Sequence, residues 1–206
     1  LEVVDESNLW DLDTSSISII RKVPNIVINE LMISTSSLSF PDILGEYIEL
    51  YNLDYMSHDI NGYTIFGTTG ESHVISSGTP LEIPASGYLL LGRTDIWEIE
   101  PDYIYSGISL SDPLENANNF YDIIYLKTPY DQLVDSVYYD GVWDVVNAAS
   151  AISMEVINPT LDNNQPGNWA TSISTFGGFW GGSPGAENSV YMLYGCTDPQ
   201  ALNYNE

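Results

Sequence analysis

Few residues in this chain have the type and spacing to do chemistry. The histidines are His58 and His73, each directly after a serine, and the single cysteine is Cys196. Neighbouring residues on a strand point to opposite faces, so neither Ser57-His58 nor Ser72-His73 builds a nucleophile and its base. Cys196 has no histidine near it in the sequence. Glu46 and Glu49 lie three apart on an expected strand and face opposite sides, so they form no direct carboxylate pair. Asn29-Glu30 has two readings: it meets Glu49 across strands, or it is a buried glutamate held by backbone donors. No catalytic set emerges, and the chain is expected not to be an enzyme.

Calcium is the better chemical candidate, because hard cations take several carboxylate and carbonyl oxygens. Three groups could supply them: Asp5, Glu6, Asp11 and Asp13; Asp112, Glu115, Asn116, Asn118 and Asn119; Asp162, Asn163 and Asn164. None has the EF-hand spacing. Their plain reading is solvated turn chemistry. Asp112, Glu115, Asn116, Asp11 and Asp13 are taken as the calcium candidates, and no other cofactor is expected. Tyr103, Tyr105, Tyr121, Tyr125, Tyr138, Tyr139 and Trp143 form a dense aromatic set. They either fill a core or present a platform that stacks on sugar rings.

Composition narrows the partners. The 206 residues hold 29 acidic and 4 basic side chains, a formal net charge of −25. Nucleic acid is excluded as a partner, because its binding takes Lys and Arg to displace counterions from phosphates. An anionic membrane surface is disfavoured for the same reason. No apolar run is long enough to span a bilayer, so no membrane insertion is expected. Hydrophobic residues make up 44% and aromatics 12%, enough apolar surface to offset chain entropy and fold. High acidity with few lysines suits a salty exterior or a surface that holds cations. Leu1 in place of Met, with no basic leader, marks a processed chain or a fragment.

The elements that must position these residues are strands. Ile26-Val27-Ile28-Asn29-Glu30-Leu31-Met32-Ile33 is rich in branched apolar groups, and Glu46-Tyr47-Ile48-Glu49-Leu50-Tyr51 alternates acid and apolar. Asn61-Gly62 signals a tight turn before Tyr63-Thr64-Ile65-Phe66. Gly87-Tyr88-Leu89-Leu90-Leu91-Gly92 is the next run. Asp122-Ile123-Ile124-Tyr125-Leu126 and Leu133-Val134-Asp135-Ser136-Val137-Tyr138-Tyr139 form a pair around Pro129-Tyr130-Asp131. Ile152-Ser153-Met154-Glu155-Val156-Ile157 is the last expected core strand. Turn signals about every ten residues predict an all-β antiparallel sandwich or barrel with no amphipathic helix. Residues 160–189 are rich in Gly, Asn, Ser and Pro, and their aromatics are expected to pin an irregular tail onto the sandwich.

Three units are expected: an N-terminal flank over 1–24 with an added strand near 16–23, a sandwich over 25–189, and a C-terminal flank over 190–206. Ile17 and Ile19 in one flank, and Tyr191 and Leu193 in the other, are candidate interface residues. They either close the domain's own sheet edge or add to a neighbouring subunit. Tethered pairing is favoured, because a tethered segment acts at high effective concentration.

These motifs, in this order, resemble the lamin tail domain family. The resemblance rests on Asn29-Glu30, on Tyr47-Ile48-Glu49-Leu50-Tyr51-Asn52 where the family often has Trp first, and on Ile60-Asn61-Gly62-Tyr63. It continues through Ile83-Pro84-Ala85-Ser86-Gly87 and Val134-Asp135-Ser136-Val137, and closes on Gly182-Ser183-Pro184-Gly185-Ala186-Glu187-Asn188. The resemblance implies an immunoglobulin-like β-sandwich and no enzyme activity. It also implies an accessory module of a secreted or surface bacterial protein, beside the partner-binding use of nuclear lamins. No heptad and no basic localisation run supports the nuclear setting. Gly195-Cys196-Thr197-Asp198-Pro199-Gln200-Ala201-Leu202-Asn203-Tyr204 is similar to a motif of large bacterial surface proteins, many of them exported by the type IX route. That likeness implies that Cys196 is half of a disulfide module continuing further, in an oxidising exterior. The expected function is a non-enzymatic extracellular structural or adhesive module, a candidate subunit of a filament, contacting itself or another surface protein. The alternative is a glycan-binding accessory domain of a secreted hydrolase.

Overall fold

The computed structural model describes residues 3–4, 10–11, 22–33, 45–94, 100–110, 121–143, 145, 151–178 and 180–191. Among the described residues the one helical element is a 3-10 turn, Pro166–Asn168.

The strands are short, and alternation along them builds the core. In the first sheet lie β3 (Ile26–Met32), β4 (Tyr47–Asn52), β9 (Tyr88–Gly92), β10 (Tyr103–Ile104), β13 (Met154–Val156) and β14 (Trp169–Thr171). Their order is β10-β9-β4-β3-β13-β14, with β10 parallel to β9 and the other pairs antiparallel. In the second sheet lie β6 (Thr64–Phe66), β7 (Ser72–Val74), β11 (Tyr121–Lys127) and β12 (Leu133–Asp140), in the order β12-β11-β6-β7. Ile28, Leu31, Ile48, Leu50, Leu89, Leu91, Met154 and Val156 bury against Ile65, Ile124, Leu126, Val137 and Tyr139 between the two sheets. Two faces closing over one apolar layer is the expected sandwich, immunoglobulin-like in class. Among the described residues there are three further two-stranded ribbons: β1 (Val3–Val4) with β2 (Trp10–Asp11), β5 (His58–Asp59) with β8 (Glu82–Ile83), and β15 (Thr175–Phe176) with β16 (Trp180–Gly181).

One irregularity sets which side chains face where. The register of β3 on β4 shifts between Ile28 and Glu30, leaving Asn29 as an extra residue. Strict period two from Ile26 and Ile28 would drive Glu30 into the apolar core. The bulge changes the phase, so Leu31 and Ile33 continue the core while Glu30 and Met32 turn to the outer face. On that outer face a second apolar cluster forms from Met32, Tyr47, Leu90, Ala151 and Trp180, with Phe176 stacked on Trp180 at 6.3 Å.

The tail is more regular than its composition predicts. β13 is not the last core strand: β14 follows it at the sheet edge, and Trp169 enters the main core. Val190 and Tyr191, expected to begin a strand, lie in and just after a turn. Lys22 and Val23 are in no strand, and the rest of the strand expected near 16–23 falls outside the described residues.

The expected Asp162-Asn163-Asn164 cluster closes a sheet edge. β12 lies against β3, and its free edge receives the side chain of Asn164 as a short substitute strand. The Tyr138 amide donates to Asn164 Oδ1 at 3.0 Å, and Asn164 Nδ2 donates to the Ser136 carbonyl at 2.9 Å. Asn163 is buried and donates to Asp135 at 2.7 Å, while Asp162 accepts the Asn164 amide at 3.0 Å in a local turn. A covered edge resists strand addition from another chain. Replacing Asn164 by Ala is expected to cost about 1 kcal/mol in urea unfolding. It is also expected to raise the sedimentation mass with concentration, where the parent chain is expected to keep a constant mass.

Candidate functional site

Three buried carboxyl groups form a row. Glu155 on β13, Glu30 on β3 and Glu49 on β4 are register partners, Glu155 to Glu30 and Glu30 to Glu49. All three point to the outer face, and all three are 0% exposed. Like charges directly opposite one another on a sheet repel, and burial removes the water that would screen them.

The segment 182–190 lies over this row as a strap and supplies donors. The Ser183 amide donates to Glu30 at 3.0 Å. The Ser183 hydroxyl sits between Glu30 and Glu155, at 3.3 and 2.9 Å. Gly185 donates its amide to Glu49. Ser189 and the Val190 amide donate to Glu155 at 2.8 and 3.2 Å. From the sheet, Tyr47 and Ser153 each donate a hydroxyl to Glu30 at 2.5 Å, and Asn29 donates to Glu49 at 3.0 Å. The strap also latches the bulge: Asn29 donates to Asn188 at 2.7 Å, and Asn188 donates back to the Asn29 carbonyl at 3.1 Å and to that of Val156 at 2.8 Å. Gly182 permits the close approach, since a Cβ there would stand 2.5 Å from the Tyr47 hydroxyl.

Burial, and then the Glu155 charge, push Glu30 up to about 7. Burial, and then Glu30, push Glu49 well above the usual carboxylate range. Glu46 belongs to a separate site, as its spacing from Glu49 predicts. Its carboxylate accepts from Arg93 at 3.1 Å and from the Tyr105 hydroxyl at 2.9 Å. Burial still carries it to about 7, with Arg93 opposing.

Beside the strap opens a cleft of about 280 Å³. Tyr51 and Tyr88 are register partners on β4 and β9, and their rings lie 4.8 Å apart at 38°. Tyr55 stands on the rim, 98% exposed. Glu187 and Asn188 of the strap, and Tyr191 directly after it, bring the other side of the wall. The arrangement holds aromatic faces and one exposed carboxylate, with no nucleophile paired to a base.

A family model described as Lamin Tail Domain matches residues 21–141. The chain belongs to the lamin tail domain family. No curated protein matches it. The lamin tail domain match covers β3 to β12, and therefore Glu30, Glu46 and Glu49; Glu155 and the strap lie beyond it.

Within this lamin tail domain the residues expected to do chemistry separate. Both readings of Glu30 hold together: it neighbours Glu49 across strands, and a backbone amide of the strap holds it. His58 pairs with Asp54 at 2.9 Å, and His73 contacts the Tyr103 hydroxyl at 2.8 Å. Of the calcium candidates, Asp13, Asp112, Glu115 and Asn116 lie outside the described residues, and Asp11 is placed only as a residue of β2. Ile17, Ile19, Leu193 and Cys196 also lie outside them. Tyr191 lines the cleft. Of the aromatic set read as core or platform, Tyr105, Tyr139 and Trp143 are core, Tyr103 and Tyr138 pack against it, and Tyr121 stacks on Tyr138 at 6.3 Å. Sequence reading missed the cleft tyrosines as a set. The one available signal was Tyr51 on the acidic face of its alternating strand.

Glu30, Glu46 and Glu49 have folded values above their ordinary 4.5. The contribution of Glu30 and Glu46 to stability is full below about pH 4.5 and is lost as pH rises through about 7, and that of Glu49 is lost in the same direction. Asp54 and Asp59 are held below the ordinary value, chiefly by backbone amides, so their contribution is lost as pH falls through the acid range. Urea midpoints are therefore expected to peak near pH 5 and decline to pH 8. Glu30→Gln is expected to remove on the order of 3 kcal/mol of that decline.

Proposed function

We propose that this chain serves as a non-enzymatic, extracellular structural or adhesive module of a secreted or cell-surface bacterial protein. One observation carries the reading. The strongly shifted carboxyl groups, which in an enzyme would face substrate, are committed to internal contacts: Glu30 and Glu49 under the strap, Glu46 on Arg93 and Tyr105, and Asp135, pushed up to about 6 chiefly by burial, under the Ile28 amide and Asn163. A rigid sandwich with occupied polar groups suits display rather than turnover.

Other features support the setting. A net charge of −25 favours an ion-rich exterior. The Cys196 motif resembles those of exported surface proteins. The plugged β12 edge favours one folded unit tethered in a longer chain and touching another surface protein, over self-assembly by strand addition. Calcium remains the cation proposed for Asp11 and Asp13 and for Asp112, Glu115 and Asn116, where it would relieve local repulsion.

Light scattering on the full chain tests the reading. A mass near 22.8 kDa, both in calcium and after chelation, is the expected result. A multiple of that mass in calcium that collapses on chelation would replace the tethered module with a calcium-held assembly block.

A further inference from the structure

We propose that the cleft beside the strap binds a methylated ammonium group, of the kind carried by choline-type headgroups. This goes beyond the module reading and does not depend on it.

The cleft's own chemistry selects a cation. Tyr51, Tyr88, Tyr55 and Tyr191 line it, and aromatic rings attract positive charge through their quadrupoles. Among the described residues its lining holds no Lys, Arg or His, so no internal cation already occupies the rings. Lys22, Arg93 and Lys127 are engaged elsewhere, with Asp54, Glu46 and Asp131. Glu187 is exposed on the strap side and supplies a carboxylate to the mouth. The Tyr88 hydroxyl is pushed up chiefly by burial, with the nearby Glu187 carboxylate among the groups that add to the shift. The whole-chain charge adds long-range attraction for cations.

Other ligands fit less well. Anions meet only repulsion. Calcium wants six to eight oxygens, and the lining exposes one carboxylate. A sugar wants free planar amides beside the ring, but Asn29 and Asn188 already use theirs on each other and on Glu49. A primary ammonium is compact and strongly hydrated, and it gives up that water reluctantly. A methylated ammonium spreads its charge over apolar methyl groups, which match ring faces and a cleft of about 280 Å³. Tyr55, 98% exposed and on the rim, can fold over a bound headgroup without disturbing the core.

NMR titration of the full chain at constant ionic strength tests this, with choline, n-butylammonium, the uncharged choline isostere 3,3-dimethylbutanol, and cellobiose. Saturable choline binding is expected near about 1 mM, with shifts on the tyrosine rings of the cleft. The neutral isostere and the primary amine are expected at least tenfold weaker. Tyr55→Leu is expected to weaken choline about fivefold while Tyr55→Phe retains it, and Glu187→Gln to weaken it about threefold. Equal binding of the neutral isostere would overturn the proposal, showing a merely apolar cleft. Cellobiose shifting the same rings with choline silent would replace it with a glycan site. Butylammonium matching choline would make it a site for unmodified lysine.

Discussion

Glu155, Glu30 and Glu49 stand on adjacent strands at one register level, where bare carboxylates would repel across about 5 Å. Much of the outer face of the sheet follows from that row. Open to water, three such groups would be unremarkable. Here they are covered, and a covered carboxyl needs either a proton or donors. The strap brings serine hydroxyls and backbone amides to all three, and burial raises the proton affinity of Glu30 and Glu49. The row thus works as a docking rail: it holds a segment from the far end of the chain, which completes the donor sets of Glu30 and Glu49 and brings Ser183, Ser189 and the Val190 amide to Glu155.

The bulge at Asn29 makes the rail possible. Without the extra residue, Glu30 would share a face with Ile28, and the sandwich would have to bury a carboxyl among aliphatic side chains. With it, the main core stays apolar and the acids collect on the other side. Asn29 then gains a second role. Its side chain reaches Glu49 and Asn188 together, so the irregularity in β3 and the latch of the strap are one hydrogen-bonded unit. Met32, Tyr47, Leu90 and Trp180 close the apolar part of the same layer.

The strap in turn builds the cleft. Tyr51 and Tyr88 belong to the sheet, Glu187 and Asn188 belong to the strap and Tyr191 directly follows it, so the wall exists because the rail holds the two together. A structural device and a surface recognition feature therefore share residues. In a lamin tail domain, where the sandwich supplies rigidity, such a surface is the natural place for one module to differ from another.

Much of the frame was legible from the residues alone. The run Glu46-Tyr47-Ile48-Glu49-Leu50-Tyr51 marked a two-faced strand, and the spacing of three sent Glu46 and Glu49 to different sites, so the acids do not share one face as alternation of acid and apolar groups suggests. Asn61-Gly62 marked its turn, and Gly62 adopts φ +80°. The paired runs around Pro129-Tyr130-Asp131 became β11 and β12. These signals are local, because period and turn chemistry act over a few residues. Other outcomes needed the fold. Whether Asn29 bulges depends on what β4 offers opposite it. Glu30 meets Ser183, 153 residues away, and the edge plug of Asn164 exists only because β12 passes beside it. Tyr51 faces Tyr88 only through strand pairing. Composition and spacing determined which residues were acidic, aromatic or outward-facing; the tertiary structure alone decided which became neighbours, because burial and cross-strand register are properties of the packed chain.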